Sequence, residues 1–522
     1  MTTLVRNKWP VWIVCLGILL TLLTGCGAGT SHAPDDEIVL AAARDLSPGP
    51  HDAFYCSKLL QVWEPLIEID NQGEPVPVLA TSWESSADAK TWTFHLRQGV
   101  SFHDGTPFTA ASVVANFDRI AGVGFRGSQF YNMALRLMYP SLETWEAVDD
   151  YTVRLTFAKP MPTLPYLMGG WNSAQFNPKA IDPETWDFIS TDIGTGPFRL
   201  TAHAQDQYTV ITRNDAYWGD KARAKTIRVR VIPDAQTRFS ALKAEEIMGV
   251  VDLGAITPAL AQELAQDEHF ALVHNKMTIT HYLTLRGNDG VFADERMKRA
   301  VSLAIDRDAL VNNYFYGHAT PTINLINSVS PFGRVVAPRY APEEAKTLAR
   351  QVLGDRRQAV RLLISQSSAE RYPYKEMAEW IQAELRPLGL DVTIVLLDGA
   401  AYSQALRNGE HDLTLHIRGL SSMDPADLFW EWMSNDERGL ANISRCIGYS
   451  RDDAQALLES IAEAHTPDAR RKVYDRLQEI ALERPVTVPL FEDENLLVHN
   501  KKIRGFTPTI YGVTLSETEW TE

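Results

Sequence analysis

Apolar positions change their spacing repeatedly along this chain, and the spacing predicts the elements. In Thr91-Trp92-Thr93-Phe94-His95-Leu96 apolar and polar side chains alternate. That pattern puts Trp92, Phe94 and Leu96 on one face of a strand. His103-Asp104-Gly105-Thr106-Pro107 reads as a turn. After it, Thr109 caps a helix that carries Val113, Phe117 and Ile120 on one side. Strands are predicted at 151–157, 226–232, 359–365, 392–397 and 412–417. Helices are predicted after Pro233-Asp234, through Phe239 and Leu242, and at 294–304, 306–316, 372–387, 451–465 and 467–483. Asp306 is the expected cap between two of these. Strands alternating with helices imply α/β lobes with mixed sheets.

The apolar run at 11–23 is of another kind. It follows Arg6 and Lys8 and precedes Leu23-Thr24-Gly25-Cys26. A positive start, a short apolar core and small residues before a cut site describe a secretory signal. The run is short beside the about 20 apolar residues of a spanning helix. Leu23-Thr24-Gly25-Cys26 resembles the bacterial lipobox, which implies lipidation of Cys26 and removal of residues 1–25. The small, polar stretch 26–36 reads as a lipid-anchored tether. The body is then expected outside the cytoplasm, anchored to the membrane.

Composition narrows the class. The 522 residues are 45% hydrophobic and 22% charged, ordinary for a globular chain of several domains. Net charge is -16, and losing residues 1–25, with two basic and no acidic residues, takes it to -18. No basic tract stands out, which argues against a nucleic-acid partner. Of the four cysteines, Cys15 leaves with the signal and Cys26 carries lipid. Cys56 and Cys446 remain, and an oxidising compartment permits a bridge between them. No CxxC or HxxxH spacing supports a zinc site. Gly194-Thr195-Gly196-Pro197 lacks the Lys-Ser/Thr of a phosphate loop and reads as a turn. No Gly-x-Ser-x-Gly elbow or Ser/His/Asp set supports hydrolysis, so the chain is not read as an enzyme, and no cofactor is expected.

Several blocks occur in a telling order: Val62-Trp63-Glu64-Pro65-Leu66, Leu79-Ala80-Thr81-Ser82-Trp83-Glu84, Leu96-Arg97-Gln98-Gly99-Val100-Ser101-Phe102-His103-Asp104-Gly105, Gly194-Thr195-Gly196-Pro197-Phe198, Arg213-Asn214-Asp215-Ala216-Tyr217-Trp218-Gly219 and Lys298-Arg299-Ala300-Val301-Ser302-Leu303-Ala304-Ile305-Asp306-Arg307. Together they resemble the family 5 solute-binding proteins of bacterial ABC importers, the dipeptide, oligopeptide and nickel group, over essentially all of 37–522. The resemblance implies a two-lobed periplasmic-binding-protein-like α/β fold (type II, large cluster C type) with mixed sheets and a hinge cleft. Residues 37–280 and 493–522 would form lobe I, with a subdomain at about 81–198, and 281–492 would form lobe II. It also implies a monomer that closes around a solute and docks on a permease with its ATPase subunits.

The resemblance gives site candidates as well. Tyr55 and Cys56 occupy a cleft-edge stretch in relatives. Arg126 matches an arginine that contacts metal-chelator carboxylates in the nickel branch, and Cys56 matches a methionine near the metal there. Trp171 and Asn172 stand where that branch has Arg-Pro. The segment 415–429 would form one wall, with His416, Arg418, Ser421, Met423 and Asp424 as candidate contacts. His416 is read either as a core histidine or as a metal ligand, and Met423 either as packing or as a contact. Peptide-binding relatives carry an aspartate three residues before the acidic-Pro pair, to hold the peptide amine. Here that position is Ser421, so the usual anchor is absent, and Asp424 or Asp427 is the expected substitute. The ligand expected is a small peptide or peptide-like solute. A nickel–chelator importer component is the alternative, and a receptor that presents ligand to a sensor is a second one.

Overall fold

The computed structural model describes residues 37–46, 58–123, 135–170, 173–190, 192–287, 289–433, 452–485 and 487–521. The first strands are β1 Glu37–Ala42, β2 Ala80–Ser85, β3 Thr91–Leu96, β4 Leu142–Asp149 and β5 Thr152–Phe157. Next come β6 Phe198–Ala204, β7 Tyr208–Arg213, β8 Thr226–Val231, β9 Gly249–Val250 and β10 Phe270–Leu285. The two larger sheets are completed by β11 Ala319–Pro321, β12 Gln358–Ser365, β13 Leu390–Leu397, β14 Leu413–Gly419 and β15 Val488–Asn500, and short strands at Ile67–Ile69, Pro75–Pro77, Ile503–Arg504, Thr507–Pro508, Val513–Thr514 and Glu519–Trp520 form two-stranded pairs apart from them. The helices that matter are α1 Ala110–Val123, α2 Leu164–Met168, α3 Ala235–Lys243, α4 Glu295–Ala304, α5 Arg307–Phe315, α6 Tyr374–Leu385, α7 Ala426–Met433, α8 Asp452–Ile461 and α9 Pro467–Glu483.

Several local signals work as expected. In β3 the side chains of Trp92, Phe94 and Leu96 are buried and their neighbours are half-buried. Helix α1 buries Val113, Phe117 and Ile120, and Phe117 stacks on Trp145 of β4 with ring centroids 6.1 Å apart. Asp234 and Asp306 cap α3 and α5, accepting from the backbone N–H of Thr237 and Ala309. Each such cap stabilises its helix by about 1 kcal/mol.

One mixed sheet runs in the order β13-β12-β14-β10-β15-β9-β1-β8-β7-β6, with β11 added beside β15. A separate antiparallel sheet, β2-β3-β5-β4, lies within residues 80–157. The long strands β10 and β15 join the two halves of the main sheet. Residues 270–276 pair with 494–500, and 280–283 pair with 488–492. Between them the register breaks, at Lys276/Thr280. A bulge bends and twists a strand locally, so the sheet changes direction close to residues 280 and 493.

Apolar packing follows the same division. One core holds Trp63, Phe94, Phe102 and Phe198. Three others hold Met297, Leu362 and Phe491; Tyr282, Trp432 and Tyr474; and Leu242, Leu264 and Val498. The first core also takes in Val329 and Met423, which reach into it from the second half of the chain. Among the described residues no helix is long and apolar enough to cross a membrane.

Candidate functional site: a cleft between two halves

The matching blocks build a scaffold centred on Glu64. Its carboxylate is buried and accepts from Tyr217 OH at 2.6 Å, Thr195 Oγ1 at 2.7 Å and Trp218 Nε1 at 3.1 Å. Arg97 lies over the Trp218 ring, 4.3 Å from its centroid. One side chain therefore joins three blocks that are far apart in sequence. Burial pushes the Glu64 carboxyl up to about 6, against the pull of these donors and of Arg97. The Gly194–Pro197 stretch is a turn pressed against the 61–62 backbone: Gly196 N donates to Val62 O at 3.0 Å. A Cβ on Gly194 would stand 1.9 Å from Val62 O, so only glycine fits. His103 is held between Gly194 N and Gly196 O, at 3.2 and 3.0 Å. Burial pushes its imidazole down to about 4. These are framework roles, and none of these groups offers a binding face.

The two halves meet around α2. Gly170 lies so close to Ser421 that a Cβ there would be 2.4 Å from Ser421 O. Met423 N donates to Tyr166 O at 3.4 Å. Thr163, the residue before α2, donates its hydroxyl to Asp424 Oδ2. Arg470 of α9 reaches both Thr163 Oγ1 and Asp424 Oδ2 at 2.7 Å. Tyr474 donates to Asp424 Oδ1, as does Ala426 N at 3.0 Å. Burial lowers the basicity of Arg470, but Tyr474 and Asp424 outweigh it and hold the guanidinium charged. The Tyr474 hydroxyl is pushed well up by burial and by Asp424 and stays neutral. Both Asp424 oxygens are thus occupied by the protein.

The wall predicted at 415–429 has this arrangement. Strand β14 pairs with β10, setting His416 opposite Tyr282 and Arg418 opposite Thr280. Arg418 donates from Nε to Glu431 at 2.7 Å and from NH2 toward Asp427 at 3.5 Å. Burial opposes its charge, but Glu431 and Asp427 outweigh it. Ser421 donates its hydroxyl to Asp427 Oδ2 at 2.8 Å. Asp427 sits in the first turn of α7 with its carboxylate 40% exposed, so it still has room for a cation. His416 lies near Trp432, ring centroids 6.2 Å apart. Its Nε2 is sealed from solvent without a hydrogen bond, as is Trp432 Nε1. Burial, then Arg418 and His281, push the His416 imidazole down to about 4, so it is neutral at neutral pH.

Met423 is fully buried in the first core, with Sδ facing Gly73. In the first half of the chain Lys58 pairs with Glu68 at 2.6 Å and donates to Gly169 O, next to Gly170, at 3.3 Å. Tyr511 lies beneath it, 5.4 Å from Lys58 Nζ to the ring centroid. Burial, then Glu68 and Asp427, push the Tyr511 hydroxyl well up, so acids from both halves of the chain act on one phenol. Lys58, Glu68, Trp432 and Tyr511 were not among the sequence candidates, because nothing in their local pattern separates them from core or surface positions. Asp427 had a signal: an acid in the first turn of a helix just after Asp424-Pro425. Tyr55, Cys56, Arg126, Trp171 and Asn172 lie outside the described residues, as do Cys26 and Cys446.

Comparison with known proteins gives this geometry its context. The family model "Bacterial extracellular solute-binding proteins, family 5 Middle" matches residues 74–439. The glutathione-binding protein GsiB of Salmonella paratyphi A is 24% identical over 515 residues, covering 97% of each chain. Among solved structures, NikA from Brucella suis in complex with Fe(III)-EDTA is similar with a TM-score of 0.82 at 24% identity, over 93% of this chain and 100% of that one. DppA from Helicobacter pylori in complex with the peptide STSA is similar with a TM-score of 0.74 at 23% identity, over 93% and 98%. These structural likenesses establish the two-lobed type II binding-protein fold. The chain belongs to family 5 of the bacterial extracellular solute-binding proteins, the non-enzymatic ligand-capturing components of ABC importers.

Proposed function

We propose that the protein captures a small peptide or peptide-like solute with a free amine, and that Asp427 with Ser421 takes the place of the usual amine anchor. The observation that carries this reading is the exposed Asp427 carboxylate, fixed by Ser421 and by its own helix turn. With Ser421 and Arg418 on Oδ2 and Leu428 N on Oδ1, this half-exposed carboxylate still has lone pairs for an ammonium ion. GsiB, which is named for glutathione, and DppA, which holds a peptide, lie in the same direction. The lipobox supports anchoring through Cys26, with a monomeric body delivering solute to the permease.

A second reading is a metal–chelator ligand. It is favoured by His416, whose neutral and unpartnered Nε2 has the chemistry of a ligand for nickel. A melting-temperature screen separates the two. Di- to pentapeptides and glutathione are compared with nickel plus histidine, since a ligand that binds the native state raises the melting point by mass action. A shift with peptides, and none with metal plus histidine, is the expected result. The reverse pattern overturns the peptide reading.

A further inference from the structure

Outside the 415–429 segment, two histidines and a glutamate converge beside the register break that joins the halves of the sheet. His274 lies on β10 and Glu494 on β15, with Lys276 the cross-strand partner of Glu494. His318 stands just before β11, whose Ala319 pairs with Asp493. It is placed there by a tight left-handed turn after α5, with Tyr316 at φ 54° and Gly317 at φ 83°. His318 N then donates to Phe315 O at 2.8 Å. The ligand atoms of the three side chains lie within 4.8 Å of one another. Nδ1 of His274 is 2.8 Å from Glu494 Oε2, and Nδ1 of His318 is 3.7 Å from the same oxygen.

Two details distinguish this cluster from an ordinary surface ion pair. Glu494 Oε2 is buried and has no hydrogen-bond partner, although His274 Nδ1 is 2.8 Å away, and His318 Nδ1, at 3.7 Å, is beyond hydrogen-bond reach. Lys276 does not neutralise it: its ammonium group turns toward Ser328 Oγ, 3.5 Å away. A tetrahedral ion with bonds of about 2.0–2.1 Å separates its ligands by about 3.4 Å. The observed spacings bracket that value, so small side-chain rotations complete the set. Two imidazoles and a carboxylate suit zinc, nickel or cobalt, and three protein ligands leave a position for water.

We propose that His274, His318 and Glu494 form a divalent transition-metal site that ties the α5–β11 connection to the two strands shared by both halves. None of its three residues belongs to the 415–429 segment, and the cleft reading neither supports the site nor depends on it. Zinc titration of the purified protein by calorimetry is the test, with cobalt absorption as the report on coordination geometry. One equivalent is expected to bind, with the visible spectrum of a four-coordinate cobalt site. His274→Ala, His318→Ala and Glu494→Gln are each expected to weaken that equivalent at least about tenfold, a loss of the size seen when a metal's supporting partners are removed. Melting in EDTA shows whether each variant is folded. His416→Ala is expected to leave the equivalent intact. Zinc bound equally by the three variants, lost in His416→Ala, or not bound by the parent protein would overturn the proposal.

Discussion

Two buried carboxylates are partnered in opposite ways. Glu64 is surrounded by neutral donors from its own half of the molecule. Asp424 contacts the Arg470 guanidinium and a threonine from the other half. For Glu64, burial outweighs hydrogen bonding and raises the carboxyl to about 6. For Asp424, a full cation is present, and the pair is part of the junction between halves. The lesson concerns assignment: a buried acid beside a cleft is not thereby a ligand contact. Asp424 was a candidate contact in the sequence and is saturated here, whereas Asp427, three residues on, faces outward.

The comparison can be broken at several points. The largest effect is expected from Asp424→Ala. It leaves the Arg470 charge buried without its carboxylate, which costs about 3–5 kcal/mol, and chemical denaturation should show the loss. Gly194→Ala and Gly170→Ala come next, since each Cβ meets a backbone oxygen. Overpacking of this kind costs about 1–3 kcal/mol. The two should differ in kind: Gly194→Ala lowers stability alone, whereas Gly170→Ala also weakens ligand affinity by keeping the walls apart. Parallel denaturation and binding curves check this.

The smallest effect is a pH slope. The folded Glu64 pKa of about 6 lies above its ordinary 4.5. Between these values the native state binds more protons than the unfolded state, so stability falls as pH rises. The contribution is fully present below 4.5 and is lost by about pH 6, a change of about 2 kcal/mol. Glu64→Gln should flatten that segment of the stability–pH profile relative to the parent.

Much of the fold was legible because short strands with one polar face alternate and helices carry caps. Thr91–Leu96 and the Asp234 and Asp306 caps are examples. The strands that join the halves, β10 and β15, were not predicted. Twelve of the thirteen residues of β15 are buried, so it shows no alternation, and β10 changes register partway along. The site was legible as a segment but not as roles. Sequence pattern marks 415–429 as distinctive, yet it does not show that Met423 belongs to the opposite core or that Arg470, 46 residues away, takes up Asp424. Those roles follow from long-range packing.

The most direct measurement is calorimetric titration of the parent and Asp427→Asn with a peptide, such as glutathione, and with its N-acetylated form. A charge-assisted anchor contributes about 1.5–3 kcal/mol. The parent should therefore bind the free amine at least about tenfold more tightly than the acetylated form. Asp427→Asn should bind both equally weakly. Equal affinity of the parent for the two forms, or unchanged free-amine affinity in Asp427→Asn, would contradict the account.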